Sequence, residues 1–78
     1  MMDKKYLQRN AAIALGNYGD PGYAPLLYQA LETDPEDVVR SAAARSLGKL
    51  KDTKNLEKFL EDPSPMVQKA VSYALENS

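Results

Sequence analysis

The 78-residue sequence contains no cysteine and no histidine. Without cysteine there is no disulfide framework, no thiolate nucleophile, and no iron–sulfur or cysteine-type zinc site. Without histidine the chain lacks the usual general base and the commonest metal ligand. We therefore expect no catalytic residue, no metal and no cofactor in this chain, which predicts that it is not an enzyme by itself.

The sequence also lacks a charge excess and a long apolar run. Ten basic and eleven acidic residues leave a net charge of −1, so bulk charge marks neither a nucleic-acid binder nor a membrane binder. No run of about 18 apolar residues is present, and the opening MMDKKYLQRN has no signal-peptide core. These absences predict one small cytoplasmic domain over residues 1–78, monomeric and without a membrane partner.

One helical stretch is written three times, as LQRNAAIALGN, VRSAAARSLGK and VQKAVSYALEN. The copies align on three leucines at offsets of 32 and 28 residues: Leu15, Leu47 and Leu75. A period of this size is typical of stacked repeats, because one helix pair cannot bury its own apolar face. The sequence predicts repeats over about 4–33 and 34–62, and a half repeat over 63–78.

Each repeat has two helical halves. In the long half, small or apolar residues at i, i+4, i+7, i+8 and i+11 mark one helix face. This face comprises Leu7, Ala11, Ala14, Leu15 and Tyr18, then Val39, Ala43, Ser46, Leu47 and Leu50, then Val67, Val71, Ala74 and Leu75. The short halves carry Ala24, Leu27, Tyr28 and Leu31, then Leu56, Phe59 and Leu60. We predict an all-α protein, an α-α superhelix of about two and a half helix-pair repeats, with five helices near 4–18, 22–32, 36–50, 54–61 and 65–76.

Local signals mark where these helices meet, begin and end. Gly16 and Gly48 are expected to let neighbouring helices approach closely. Gly19 fits the left-handed residue that ends the first helix, and its counterpart Lys51 is expected to be strained there. Capping side chains are expected before prolines at Asp20-Pro21, Asp34-Pro35 and Ser64-Pro65.

Two segments resemble known families. The form V-R-x-A-A-A-x-x-L-G at residues 39–48 resembles the HEAT-like repeat of the phycobilin-lyase type, which implies a fold but no function. The segment YLQRNAAIALGNYGD, residues 6–20, followed by a second repeat with Arg40, is similar to the C-terminal HEAT-like domain of the epoxyqueuosine reductase family. That family completes queuosine in tRNA, and an Arg-Asn-Ala segment opens its domain after a basic link. The residues here that match are Lys4, Lys5, Arg9, Asn10 and Ala11.

The resemblance implies a carboxy-terminal module without its catalytic part. In the family that part binds cobalamin and two iron–sulfur clusters through cysteines that this chain lacks. A longer parent chain would then be an oxidoreductase with an upstream catalytic domain. This sequence departs from the family at Arg45, where an aromatic residue is frequent.

Basic residues are the candidate site, and their partner is expected to be tRNA. Arg9 and Arg40 lie early in their helices, where the dipole does not favour positive charge, and Lys5 stands one turn before Arg9. The candidate nucleic-acid-binding residues are Lys4, Lys5, Arg9, Asn10, Arg40 and Arg45. Arg40 has an alternative role as an ion pair to Asp34, Asp37 or an acid of the neighbouring repeat, and the helix dipole accounts for Lys49 and Lys51.

The tyrosines are expected to differ in exposure, and the partner has an alternative. Tyr18 and Tyr28 are expected to pack against the core, and Tyr23 is the tyrosine expected to be exposed for base stacking. The alternative function is a protein–protein interaction scaffold of HEAT-repeat type, with a protein partner in place of tRNA.

Overall fold

The computed structural model describes residues 4–77, and it describes side chains from Gln8 onward. Over these residues it is all-helical and contains no strand. The four α-helices are α1 (Lys4–Tyr18), α2 (Ala24–Thr33), α3 (Asp37–Lys49) and α4 (Pro65–Glu76). Two short 3₁₀ helices, Pro21–Tyr23 and Glu57–Glu61, precede α2 and α4.

The prediction of five helices is wrong in one element, because the fourth segment is 3₁₀ and not α. Its backbone closes short turns, with Phe59 N donating to Leu56 O at 3.0 Å and Asp62 N donating to Phe59 O at 3.1 Å. Pro63 disfavours the α conformation for the residue before it, so the segment has no room for a stable α-helix. Leu56 nevertheless enters the core, since it is fully buried.

Helix α3 forms the centre of the molecule and packs against α1, α2 and α4. The 3₁₀ helix Glu57–Glu61 packs on α4. The largest fully buried side chains come from α2, α3, α4 and the start of the second 3₁₀ helix: Leu27, Leu31, Leu47, Leu56, Val67 and Val71. The long helices α1, α3 and α4 lie side by side, and shorter elements cover the inner faces of α3 and α4.

The predicted core face is confirmed in α3 and α4 but not in α1. Val39, Ala43, Ser46 and Leu47 are buried in α3, and Val67, Val71 and Ala74 are buried in α4. In α1, by contrast, Ala11, Ala14 and Tyr18 are exposed and Leu15 is half-buried, while the side chain of Leu7 lies outside the described part of the chain. From Gln8 onward, Ala12 and Gly16 are the buried positions of α1, because this side of the helix meets α3.

The two helical glycines permit the close approach that the sequence predicts. A Cβ at Gly16 would lie 2.5 Å from Ser46 Oγ and 2.8 Å from Ser46 Cα. A Cβ at Gly48 would lie 2.8 Å from Ala74 Cβ and 2.9 Å from Ala74 Cα. Ser46 and Ala74 are equivalent positions of the repeat, so one contact occurs twice. At the first contact, Ser46 Oγ also donates to Ala12 O at 2.6 Å. In α4 the equivalent of these glycines is Glu76, which is exposed.

The turn after each of the first two long helices contains a left-handed residue, as predicted. Gly19 has φ +81° and its counterpart Lys51 has φ +59°. After α3, Lys51 N donates to Gly48 O and Asp52 N donates to Leu47 O, at 3.1 and 3.0 Å. This is a Schellman ending whose left-handed position carries a side chain, and strain follows from the Cβ of Lys51.

The Asp-Pro loops differ from the predicted caps in detail. Asp20 does cap the 3₁₀ helix that follows it, accepting from Gly22 N at 2.8 Å. Asp34 instead closes a turn before α3, accepting from Glu36 N at 2.9 Å, and Glu36 is the residue at the N-cap.

The loop before α4 contains the same kind of turn, in which Asp62 accepts from Ser64 N at 2.9 Å. Ser64 is the N-cap residue of α4, but its hydroxyl donates to Asp37 Oδ2 at 2.9 Å and does not cap the helix.

Candidate nucleic-acid interface

An open groove of about 760 Å³ crosses the outer faces of the three long helices. Helix α1 supplies Arg9 and Ile13, α3 supplies Arg45 and Lys49, and α4 supplies Met66, Tyr73 and Asn77, among other residues. Three of the lining residues are cationic, and no acidic residue is among them in the described part of the chain. A surface of this charge suits an anionic ligand that is longer than a single group.

Equivalent positions of the three repeats build this groove. Ile13, Arg45 and Tyr73 form one such row across the helices, and Lys49 and Asn77 belong to the next row. The rows that build the core keep small or aliphatic residues, whereas these two change between aliphatic, cationic, aromatic and amide side chains. Packing of the repeat therefore does not dictate the residues of the groove.

Two of the three cations of the groove donate to amide oxygens. Arg9 is half-buried, and its Nη2 donates to Asn10 Oδ1 at 3.2 Å. Lys49 Nζ donates to Asn17 Oδ1 at 2.7 Å. Arg45 is exposed, and no carboxylate of the described residues forms an ion pair with Arg45 or Lys49. An amide oxygen orients the ammonium group of Lys49 without neutralising it, so the charges of Lys49 and Arg45 are able to interact with an anion.

Among the described residues, Tyr73 is the aromatic side chain of the groove lining. Tyr73 is 59% exposed on α4, one turn from Asn77, and Met66 and Ile13 are exposed apolar residues of the same lining. Exposed aromatic faces next to cations are the usual means of holding single-stranded bases. The groove therefore combines cationic groups with an exposed aromatic ring.

The other described tyrosines have different roles. Tyr28 packs as predicted: its hydroxyl donates to Asp52 O at 3.0 Å and accepts from Asn55 N at 3.3 Å. Burial is the main cause that raises the pKa of the Tyr28 phenol above its usual value. The prediction for Tyr18 is wrong, since it is 75% exposed and contacts Tyr23 edge to face at 5.8 Å between centroids. Tyr23 is half-buried and not the exposed tyrosine expected.

The structure separates the six predicted site residues. Arg9 and Arg45 line the groove together, and exposed Asn10 holds the guanidinium of Arg9. Lys4 and Lys5 begin α1, and their side chains lie outside the part that the structure describes. By helical spacing Lys5 stands on the same face as Arg9, one turn earlier.

Arg40 lies elsewhere and has structural partners. Its Nε and Nη2 donate to the two carboxylate oxygens of Asp62, at 3.1 and 3.2 Å, and its Nη1 donates to Asp34 O at 2.9 Å. The side chains of Arg40 and Asp62 are only 13% and 8% exposed. Gln68, its counterpart in α4, donates in the same way to Asp62 O at 2.6 Å. This geometry favours the alternative role of Arg40 in an ion pair, although the partner is Asp62, at the end of the same repeat, and not one of the acids that the sequence suggested.

Lys49, Tyr73 and Asn77 are residues of the groove lining that were not among the predicted site residues. Lys49 was explained by the helix dipole, and Tyr73 was not distinguished from the other tyrosines. The signal that identifies them is the repeat itself, because Tyr73 is equivalent to Arg45 and Asn77 is equivalent to Lys49. Comparing the three copies position by position reveals the rows that packing leaves variable.

Residues 4–77 contain neither a candidate metal site nor a candidate membrane-spanning helix. No group of three or more acidic, histidine or cysteine side chains there is arranged to hold a metal ion. None of the helices in this range has the length and apolar character needed to cross a membrane.

The class of protein follows from the stacked helix pairs with repeated glycine contacts: this is a helical-repeat domain. The family description "HEAT repeats" matches residues 2–76, and the chain belongs to that family. Epoxyqueuosine reductase of Bacillus subtilis (strain 168) is 41% identical over 61 residues, which cover 74% of this chain and 16% of that protein.

Two other relatives also match this chain over a short part of their own length. Epoxyqueuosine reductase of Bacillus cereus is 43% identical over 47 residues, covering 60% of this chain and 12% of its own length. An "uncharacterized protein in gldA 3'region" of Geobacillus stearothermophilus is 39% identical over 61 residues, covering 74% of this chain and 28% of its own length. This chain therefore spans less than a third of these relatives. No solved structure matches it.

Proposed function

We propose that this domain is a non-catalytic tRNA-contacting module, of the kind carried by an epoxyqueuosine-reductase-like enzyme. The observation that supports it is the groove, where Arg9, Arg45 and Lys49 line one surface without an acidic neighbour in the lining. Guanidinium and ammonium groups in such a surface bind phosphates and fix the position of a nucleic acid without reading its sequence.

The relatives supply the context of this proposal. They include epoxyqueuosine reductases, and this chain matches a short part of each. The domain would hold tRNA while a catalytic domain elsewhere in a longer parent performs the chemistry. This role requires no cofactor in the present chain and belongs in the cytoplasm.

A titration of the labelled domain with tRNA at several salt concentrations tests the proposal. Binding is expected to weaken as salt rises, because each phosphate contact releases counterions. Arg45→Ala and Arg9→Ala should each leave folding unchanged, weaken binding and lower the salt slope by about one unit. Tyr73→Phe should bind as the parent does, whereas Tyr73→Ala should bind more weakly because the stacking face is lost.

Lys54→Ala is the matched control, because Lys54 is exposed outside the groove lining and its loss changes net charge by the same amount. It should retain the affinity and salt slope of the parent. If Lys54→Ala and Arg45→Ala weaken binding equally, the affinity is not located in the groove. If the parent shows no salt-dependent binding at low ionic strength, the scaffold alternative takes its place.

A further inference from the structure

A short helix covers the inner face of each long helix after the first. Helix α2 packs on α3, and the 3₁₀ helix Glu57–Glu61 packs on α4. In both cases the covering element comes just before the long helix in sequence, and a three-residue connection joins them, residues 34–36 and residues 62–64. The structural unit is therefore a short helix followed by the long helix on which it lies.

The covered side of α3 is defined by elimination. Ser46 faces α1 and Gly48 faces α4, while Arg45 and Lys49 line the groove. The remaining side carries Val39, Ala43 and Leu47, all of them buried, and this is the side left for α2. On a helical wheel these residues and Leu50 form one continuous stripe.

The equivalent stripe of α1 is covered less fully. It carries Ala11, Leu15 and Tyr18, and we call these three residues the open face of α1. Ala11 is exposed, although its counterparts Ala43 and Val71 are completely buried. Tyr18 is 75% exposed, although its counterpart Leu50 is half-buried. Leu15 is half-buried and packs against the core, whereas its counterpart Leu47 is completely buried. Within residues 4–77 the extensive contact of α1 is with α3 and not with a short helix.

We propose that the open face of α1 docks an amphipathic helix from the polypeptide that precedes this domain in a longer chain. The repeat defines the chemistry of that helix, because α2 places Ala24, Leu27 and Leu31 in the core at i, i+3 and i+7. The docked helix is about ten residues long, has a small residue followed by two large aliphatic residues on one face, and joins α1 through a tight turn. The upstream polypeptide is the source, because both covering elements of this chain lie directly upstream of the helices they cover.

A tandem extension tests this docking. A second copy of residues 21–36 is placed directly before Lys5, in place of residues 1–4, which reproduces the register of α2 on α3. The folded-to-unfolded ratio should rise roughly tenfold or more, because the added helix buries apolar surface on both partners. The control is the same extension with Leu27→Asp and Leu31→Asp in the added copy, which should leave the ratio at that of the parent.

Coupling distinguishes docking from a general effect of a longer chain. Leu15→Ala should reduce the folded-to-unfolded ratio by a larger factor in the extended chain than in the parent, because Leu15 then contacts the added helix. Equal factors in the two chains, or equal stability of the two extensions, would overturn the proposal.

Two other occupants would give different results. If a second copy covers the open face, the 78-residue chain will sediment as a dimer that Tyr18→Asp dissociates. If a helix from a separate protein covers it, a separate peptide of residues 21–36 will stabilise the 78-residue chain as much as the tethered copy stabilises the extended chain. Either result would also contradict the upstream source. We expect a monomer and a weakly binding peptide, because the free peptide must order its helix on association.

Discussion

Helices α1 and α3 carry the same sequence pattern but have very different surroundings. Helix α3 has neighbours on three sides and buries seven of its thirteen residues, whereas α1 has its main contact with α3 and leaves Ala11, Ala14 and Tyr18 exposed. The pattern states which face of a helix is able to accept a neighbour. The position of the helix in the stack decides whether that neighbour is present. Equivalent leucines or alanines of the two helices therefore contribute differently to the free energy of unfolding.

The largest expected difference between the two helices concerns their equivalent leucines. Leu47→Ala should lower the free energy of unfolding by about 2–5 kcal/mol, because Leu47 has no exposed surface and its loss leaves a cavity. Leu15→Ala should cost about 1 kcal/mol, since half-buried Leu15 loses less contact and its site can collapse. Urea denaturation of the two variants measures both values. Equal costs would show that α1 is covered as fully as α3.

The glycine contacts should give the next largest effect. Gly48→Ala would place a Cβ 2.8 Å from Ala74 Cβ, and the resulting overpacking should cost about 1–3 kcal/mol despite the higher helix propensity of alanine. Glu76→Ala, at the equivalent position of α4, should change stability by less than about 0.5 kcal/mol because Glu76 is exposed. Thermal unfolding compares the two. An undisturbed Gly48→Ala variant would show that α3 and α4 are able to separate without cost.

The smallest expected effect concerns the two helix ends. Lys51→Gly should raise stability by about 0.5–1 kcal/mol, because glycine relieves the left-handed strain of a residue with a Cβ. Gly19→Ala should lower stability by a similar amount, about 1 kcal/mol, since nothing lies within 4 Å of the added methyl and only the backbone conformation opposes it. Opposite signs in chemical denaturation would support this interpretation, and equal signs would contradict it.

The sequence predicts the parts of the fold that depend on local pattern. The bounds of α1 and α4 match the prediction, the core face of α3 is confirmed, and the left-handed conformations of Gly19 and Lys51 follow from the end of the repeat. The 3₁₀ helix Glu57–Glu61 was predicted as an α-helix because its apolar spacing resembles one. Pro63 holds Asp62, the residue just after that segment, in an extended conformation, so the segment is not able to lengthen into a stable α-helix.

The candidate site was predictable in part. Arg9 was identified because the repeat does not require a cation at its position, and Arg45 was identified as one of the basic residues of the second repeat; both line the groove. The role of Arg40 depends on Asp62, which lies 22 residues further along the chain, and the sequence pointed to an ion pair without identifying this partner. The exposure of Tyr18 depends on a neighbour and not on the sequence of α1, which explains why a helical wheel placed it in the core.

Glu76 has a consequence for the association of whole molecules. A stack of repeats with two equivalent ends is able to add copies head to tail and grow into a fibre, because such a contact does not close on itself. A copy that approached α4 with its own α1 would place Ala14 where Ser46 and Ala74 meet a glycine. At this position α4 has Glu76 in place of the glycine, so Ala14 of the second copy would contact a carboxylate. Burying that charge without a partner is unfavourable. The two ends of this domain are therefore not complementary, and polymerisation by continued stacking is opposed by a single side chain.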